Sequence, residues 1–240
     1  MWYKVKRIMM WQNWEEKQVR PYRFNPTSST ILYCPLKDDT ADYSSNHYTI
    51  TQSWTITKSD IGYQFGSNGR SYLSTPSVTL DGKLSPLTIS FYQNYTVSEQ
   101  TGVSYIIISK YYGSNSSPYI IFNIGYYNPN NTKCAYMIWN TSNQLKQLDA
   151  SAWTNWWWHN IICTLSWWTM KIYVDWLLDN TLTWVWTPKV VNTPIYIWAY
   201  QGSNNEYFVW KLSDIIIENK EWTATEISNY YNQTKSNYWL

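Results

Sequence analysis

The sequence predicts an all-β fold, a sandwich of two antiparallel sheets with one short C-terminal helix. Apolar and polar residues alternate through 161–166 and again through 170–175, which is the two-residue period of half-buried strands. Further short apolar runs alternate with turn residues along most of the chain, as in β-sandwiches. The helix is indicated near the C-terminus, where Thr223 and Glu226 have the spacing of a capping box and apolar residues follow at helical intervals.

The chain divides into an N-terminal segment and one domain. Residues 1–26 predict a β-hairpin, because apolar residues alternate with basic ones before a turn. We interpret this hairpin either as an attachment segment for a larger assembly or as an edge hairpin packed on its own domain. Residues 27–240 are expected to form a single sandwich domain. Its main predicted strands are 30–36, 87–92, 105–111, 119–126, 135–139, 161–166, 170–175, 195–198 and 208–214.

A series of motifs follows a recognisable order in the C-terminal half. Trp158-His159 and Thr164 precede Tyr173-Val174-Asp175-Trp176, and the strands at 195–198 and 208–214 follow. This order resembles the concanavalin A-like lectin/glucanase superfamily, in particular its laminin-G-like branch. The resemblance covers about residues 30–235 and implies a jelly-roll sandwich, while it says little about the ligand.

Tryptophan stands at three positions where the family pattern has glycine, namely 176, 198 and 210. The chain contains 18 Trp and only 8 Gly in 240 residues, whereas glycine usually makes up about 7% of a protein. One hypothesis is that the source reads UGA codons as glycine. The alternative is a genuinely tryptophan-rich sugar-binding surface. The best candidates for glycine are Trp11, Trp14, Trp54, Trp167, Trp168, Trp176, Trp198, Trp210 and Trp239, and Trp158 and Trp222 are expected to be true tryptophans.

Oxygen-bearing side chains cluster after the first predicted strand and recur near the last one. Members of the resembled family hold Ca²⁺ between such loops and a C-terminal strand, and calcium takes six to eight oxygen ligands. Calcium is therefore the one cofactor that the resemblance implies. The alternative is that these Asp and Asn side chains cap turns. The candidate ligands are Asp38, Asp42, Asn46 and Asp214.

Several function classes find little support in the sequence. A net charge of +2 gives no case for nucleic-acid binding, the apolar runs are too short to span a membrane, and no signal peptide is visible. No paired-carboxylate motif of a glucanase occurs, and Asp214 and Glu218 lie too far apart along one strand for retaining chemistry. His159 is expected to be structural, and the three cysteines are expected to be buried and unpaired.

Binding is the function that remains. With 23 Tyr and many amide and hydroxyl side chains, the surface suits a sugar, because aromatic rings stack on sugar faces while polar groups hydrogen-bond the hydroxyls. We predict a non-catalytic carbohydrate- or surface-binding domain, of the kind found in a phage receptor-binding or decoration protein, on a virion or cell surface. The alternatives are a structural or adhesive subunit that mediates protein contacts in a virion or homo-oligomer, and a glycoside hydrolase. The ligand-binding residues cannot be assigned from sequence.

Overall fold

A computed structural model provides the structure of the chain. It describes residues 23–59, 61–65, 71–80, 83–94, 105–111, 120–126, 133–154, 156–186, 188–198 and 211–240. The strands, numbered in chain order, are β1 (Thr30–Cys34), β2 (Thr51–Ser53), β3 (Ile56–Lys58), β4 (Tyr63–Phe65), β5 (Tyr72–Ser74), β6 (Val78–Thr79), β7 (Leu87–Asn94), β8 (Tyr105–Tyr111), β9 (Ile120–Tyr126), β10 (Ala135–Trp139), β11 (Leu145–Asp149), β12 (Trp158–Leu165), β13 (Thr169–Val174), β14 (Leu177–Thr183), β15 (Asn192–Thr193), β16 (Ile195–Ile197) and β17 (Lys211–Glu218). Helix α1 (Ala224–Thr234) and a 3₁₀ helix (Lys235–Tyr238) follow the last strand.

The strands form two large antiparallel sheets, which confirms the predicted sandwich. The first sheet has the order β14-β13-β12-β7-β17-β4-β3, with β1 also paired to β17. The second has the order β11-β10-β9-β8-β16-β5-β2, and β6 and β15 form a small separate pair. The predicted hairpin is β12 and β13, whose register runs from Ile161 opposite Val174 to Leu165 opposite Met170.

The alternation along the strands sorts side chains between two apolar clusters. On β12, Ile161 and Cys163 are fully buried in the main core between the sheets. Ile162, which lies between them, belongs to a second cluster on the outer face of the first sheet. β7 repeats the pattern, with Phe91 in the main core and Tyr92 in the outer cluster. The central strands β7 and β12 are therefore buried on both faces, and their apolar residues are not confined to alternate positions.

The C-terminal helices cover the outer face of the first sheet. Ile227 of α1 and Tyr238 of the 3₁₀ helix are buried there. The ring of Tyr238 stacks on Tyr92 with centroids 3.7 Å apart and lies 5.1 Å from the ring of Trp158. Trp158 thus has a packing role that an indole fills, as expected for a true tryptophan.

The predicted capping box begins α1. The Thr223 hydroxyl accepts a hydrogen bond from the Glu226 amide at 3.2 Å, and the Glu226 carboxylate accepts one from the Thr223 amide at 2.8 Å. Burial raises the pKa of Glu226, but hydrogen bonds from Lys220 and Thr223 outweigh this effect and hold that pKa below its ordinary value. Both ends of the box are therefore satisfied while Glu226 is ionised.

Removal of this cap is expected to weaken the fold modestly. We expect Thr223→Ala to lower the free energy of unfolding by about 1 kcal/mol, because the Glu226 amide loses its acceptor. Urea denaturation measures the change. Thr225→Ala removes the same side chain from an exposed position inside α1, and a loss as large as that of Thr223→Ala would show that the cap contributes nothing.

Some boundaries differ from the sequence-based ones. The first strand ends at Cys34 and not at residue 36, because Leu36 has φ of 51° and leaves the extended conformation. Asp214 has φ of 47° and sits where the β17–β7 register shifts, so β17 is not a regular strand. The predicted hairpin at 1–26 lies largely outside the described residues, as does the start of the predicted strand at 208–214.

Cys34, Cys134 and Cys163 are all buried and unpaired, as predicted. Burial raises the pKa of each thiol. Within the described residues, no helix is both long and apolar enough to cross a membrane.

Candidate ligand-binding cleft

A cleft of about 250 Å³ opens beside α1 on the outer face of the first sheet. We call it the helix cleft. It lies between the chain that leads into β1, the end of β17 and one side of α1. Its lining residues are Phe24, Thr27, Ser29, Glu218, Lys220, Trp222, Glu226, Asn229, Tyr230 and Gln233.

Three aromatic rings form one wall of the helix cleft. The Trp222 ring lies 5.9 Å from Phe24 and 5.2 Å from Tyr230, measured between centroids. Phe24 and Tyr230 meet edge to face at 6.3 Å and 82°. Trp222 and Tyr230 are buried, whereas Phe24 stays half-buried and keeps part of its surface toward solvent. Of the three rings, Phe24 therefore offers the most apolar surface to anything that enters the cleft, and the two buried rings pack against it.

Glu218 fixes the position of the indole at the base of this wall. Its side chain is only 3% exposed. One carboxylate oxygen accepts from Thr30 Oγ1 at 2.8 Å and from Thr27 Oγ1 at 3.2 Å, and the other accepts from Trp222 Nε1. Glu218 reaches these groups because Thr30 stands opposite it in the β1–β17 pair. The carboxylate thus ties the last strand, the first strand and the indole together.

Polar side chains line the rim of the helix cleft. Asn229 and Gln233 lie four residues apart on α1, so they share one face of the helix. Both side chains are exposed, and an amide can donate and accept hydrogen bonds at the same time, as a sugar hydroxyl requires. Lys220 pairs with Glu226 at the same rim. The cleft therefore combines an apolar wall with hydrogen-bonding edges.

A second cleft, of about 570 Å³, is more charged. It is lined by Arg23, Lys37, Asp38, Lys58, Ser59, Ile61 and Asn237. The hydrogen bond from Arg23 is the main cause that lowers the pKa of Asp38, and Lys58 lies 3.5 Å from the same carboxylate. These charges neutralise one another in part, and the cleft presents no aromatic wall comparable to that of the helix cleft.

The four residues predicted to bind calcium each contact other groups of the protein. Asp42 accepts from the amides of Tyr33, Ser44 and Tyr48 at 2.9–3.0 Å, so both of its oxygens organise the turn after β1. The Asn46 side-chain amide donates to the Ile31 carbonyl at 2.8 Å. The hydrogen bonds of these two residues are of the kind made by side chains that cap turns.

The other two predicted ligands are paired with cations. Asp38 pairs with Arg23 and Lys58, as described above. Asp214 is 1% exposed, lies 3.4 Å from Lys37 Nζ and accepts from the Tyr238 hydroxyl at 2.5 Å. Burial raises the pKa of Asp214, and Lys37 opposes this effect. In the part of the chain that the structure describes, no three His, Cys, Asp or Glu side chains form a metal-binding group. Calcium binding therefore stays a prediction.

His159 makes a structural contact, and nothing in it suggests catalysis. Its Nδ1 lies 2.7 Å from Asp175 Oδ2, and Asp175 Oδ1 accepts from the Asn160 amide at 2.9 Å. Asp175 belongs to the turn between β13 and β14, so the pair joins the start of β12 to that turn. The His159–Asp175 pair therefore holds two parts of one sheet together.

Exposed indoles form another aromatic surface on the first sheet. The ring of Trp168 lies 5.6 Å from that of Trp184 and 5.0 Å from that of Trp186. All three side chains are exposed. This surface is the place where a tryptophan-rich sugar-binding face would lie, but Trp184 and Trp186 both have positive φ, a conformation that disfavours any side chain.

The residues of the helix cleft were not predicted from sequence as a site. The sequence predicts that Trp222 is a true tryptophan, and it presents Glu218 only as one member of an acid pair. The Thr223–Glu226 capping box marks the start of α1 and so places Trp222 at a helix entrance. No local signal connects Phe24 to them, because the contact depends on the pairing of the first and last strands.

Several solved structures share this fold. The binding domain of botulinum neurotoxin DC in complex with SialylT matches with a TM-score of 0.68 and 17% identity, over 86% of this chain and 51% of that chain. The same binding domain in complex with rat synaptotagmin II gives 0.67 and 16%, over 86% and 52%. The botulinum neurotoxin serotype G binding domain gives 0.66 and 16%, over 84% and 50%.

The chain thus spans about half the length of these structures, and at such low identity the likeness shows the fold alone. At the sequence level, no family model and no curated protein matches the chain.

Proposed function

We propose that this chain is a non-catalytic binding domain that takes a carbohydrate in the helix cleft. The observation that carries the proposal is the aromatic wall of Phe24, Trp222 and Tyr230 beside the exposed amides of Asn229 and Gln233. Aromatic rings bury the apolar face of a sugar ring, and amides satisfy its hydroxyls. The cleft volume of about 250 Å³ is smaller than a drug-sized pocket and suits one or two sugar rings at its mouth.

Two of the structural neighbours support binding in different ways. One was solved in complex with SialylT and another with rat synaptotagmin II. The first supports a carbohydrate ligand, and the second supports a protein ligand as the runner-up. We favour the carbohydrate because the helix cleft is narrow and concave, whereas protein partners usually occupy broad surfaces.

The biological setting that we propose is a cell or virion surface. A receptor-binding or decoration protein of a phage would use such a sandwich to hold a host glycan. A structural or adhesive subunit that binds other protein copies is the alternative, and a calcium ion in the loops near Asp38 and Asp42 remains part of the proposal. A glycan array probed with purified protein separates these roles, since the adhesive alternative predicts no glycan signal and a stable oligomer by light scattering.

The cleft assignment is tested with one variant on α1 and its matched control. Asn229→Ala is expected to weaken binding of an array-positive glycan about three- to tenfold, because one hydrogen bond to the sugar is lost. Asn232→Ala makes the same change on the same helix outside the cleft lining and is expected to leave the affinity unchanged. Isothermal titration calorimetry measures both affinities. Equal affinities for the two variants and the wild type would place the glycan elsewhere.

A glycoside hydrolase is the remaining alternative, because the helix cleft contains two carboxylates. Glu218 is held by several donors, and Glu226 belongs to the capping box and pairs with Lys220. Neither carboxylate is left available as an acid or nucleophile. We expect no product from a panel of polysaccharides, and turnover that disappears in Glu218→Gln would establish the hydrolase instead.

A further inference from the structure

Many tryptophans of this chain occupy a backbone conformation that suits glycine. Of the twelve non-glycine residues with positive φ in the described part, seven are tryptophan. Their φ values lie between 58° and 83°, in the left-handed region where a Cβ atom is crowded and glycine is the usual occupant. The seven are Trp54, Trp156, Trp176, Trp184, Trp186, Trp198 and Trp239. A bulky aromatic residue with positive φ is rare in any protein. Seven such residues in the described part of one chain therefore require a common cause.

The hairpin between β13 and β14 gives the clearest single case. Val174 pairs with Leu177, so Asp175 and Trp176 alone form the turn. Their φ values are 48° and 72°. A two-residue turn with positive φ at both positions is the type I′ hairpin, for which Asp-Gly is among the strongest sequence preferences. Trp176 stands where that preference places glycine.

The C-terminal end of the 3₁₀ helix repeats the pattern. Trp239 follows the helix with φ of 60° and ψ of 32°, and its amide donates to the Lys235 carbonyl. This left-handed position after a helix is one that glycine commonly occupies. Gly62, which the sequence does write as glycine, has φ of 77°, and a Cβ there would lie 2.2 Å from the Leu212 carbonyl oxygen. The fold thus uses glycine at this conformation where the sequence provides it.

The side chains of these tryptophans contribute little to packing. Six of the seven rings are exposed, and Trp198, which stacks on Phe65 at 4.2 Å, is the exception. By contrast, Trp158 and Trp222 have negative φ and buried rings. The Trp158 ring packs against Tyr238, and the Trp222 indole donates to Glu218. Six of the seven therefore combine a left-handed backbone with an exposed ring, whereas the rings of Trp158, Trp222 and Trp198 are buried.

We infer that the natural protein carries glycine at these seven positions, because its source reads the UGA codon as glycine. The substitution would raise the glycine count from 8 to 15 in 240 residues, close to the usual share of about 7%. The sequence alone indicates glycine at positions 54, 176, 198 and 239, and the backbone conformation adds positions 156, 184 and 186. Trp167 and Trp168 are exposed without positive φ, and Trp11, Trp14 and Trp210 lie outside the described residues.

With glycine at 184 and 186, the exposed indole surface around Trp168 loses two of its three rings. The helix cleft keeps all of its aromatic residues, since Trp222 has negative φ and a buried ring. The backbone conformations at the seven positions are independent of any ligand in the helix cleft.

Peptide mass spectrometry of the protein isolated from its source tests the inference directly. We expect peptides that contain positions 176, 184, 186 and 239 to have masses with glycine at each, and peptides that contain positions 158 and 222 to have masses with tryptophan. Tryptophan at the first four positions would overturn the inference. The two reference positions show that the instrument and digestion recover indole-containing peptides.

A pair of recombinant variants tests whether glycine relieves strain at positive φ, and it needs no protein from the natural source. The rings of Trp184 and Trp153 are 68% and 67% exposed, but only Trp184 has positive φ. We expect Trp184→Gly to raise Tm by about 2–4 °C relative to Trp153→Gly, because it relieves a left-handed side chain. Trp239→Gly and Trp157→Gly form a second pair with the same contrast. Equal Tm shifts within both pairs would contradict the inference.

Discussion

Replacement of Glu218 by alanine is expected to lower the free energy of unfolding by about 2–5 kcal/mol. The change removes the acceptor for Thr30 Oγ1 and for Trp222 Nε1, both of which lie in buried surroundings. Each buried donor left without a partner costs about 1–3 kcal/mol, and the carboxylate also joins the first and last strands. Urea denaturation followed by far-UV circular dichroism measures the loss.

Glu218→Gln separates the need for an acceptor from the need for a charge. A glutamine can keep its carbonyl oxygen toward Trp222 Nε1 and turn its amide toward the hydroxyls of Thr27 and Thr30, which accept as well as donate. We therefore expect it to retain more than half of the stability that alanine loses. A glutamine variant as unstable as the alanine variant would show that the charge is what holds this junction together.

The same variants connect stability to the proposed function. Glu218 does not need to touch the ligand, because its effect passes through the position of the Trp222 ring. In Glu218→Gln the ring stays in place, and we expect glycan affinity to change less than in Asn229→Ala. Glu218 is thus a positioning residue for the aromatic wall of the helix cleft.

The elements that the sequence predicted well are those with local causes. The β12–β13 hairpin follows from two alternating runs on either side of a short turn, and its register places Ile161 and Cys163 in the core. The start of α1 follows from the Thr223–Glu226 capping box, which acts over three residues. In both cases the residues that determine the structure are neighbours in sequence, so the local sequence pattern alone predicts the element.

The site could not be predicted in the same way. Phe24 reaches Trp222 only because β1 pairs with β17, and Thr30 stands opposite Glu218 across 188 residues of chain. Long-range register is not contained in the period of either strand. The sequence likewise shows that Asp42 can supply oxygen ligands. Whether these oxygens face a cation or backbone amides depends on the geometry of the turn.

The stability of the fold is expected to depend on the protonation of one buried lysine. Lys110 of β8 is fully buried, and its Nζ donates to the carbonyls of Val78 at 2.7 Å and Thr193 at 2.5 Å. It therefore links the second sheet to the small β6–β15 pair. Burial lowers the pKa of Lys110 from 10.5 to about 8. The charged form is thus less favourable in the folded chain than in the unfolded one.

The direction of the pH effect follows from proton counts. Below pH 8 both states hold the proton, and the folded state bears the full cost of the buried ammonium. Between about pH 8 and 10.5 the folded state loses the proton first, so the unfolded state binds more protons and stability rises with pH. The contribution of Lys110 across this window is at most about 3 kcal/mol. Other groups titrate there too, so the quantity to follow is the difference between wild type and Lys110→Met.

We expect the stability of wild type relative to Lys110→Met to increase as the pH rises from 7 to 10, because methionine fills a similar volume without a proton to lose. Urea denaturation at half-unit pH intervals gives the curve. Lys83→Met, at an exposed lysine, reports the effect of losing one positive charge from the surface. A difference between wild type and Lys110→Met that stays constant over this range would mean that the two carbonyls stabilise the ammonium fully. Lys110 would then be an ordinary hydrogen-bonded link between the sheets, with no pH dependence of its own.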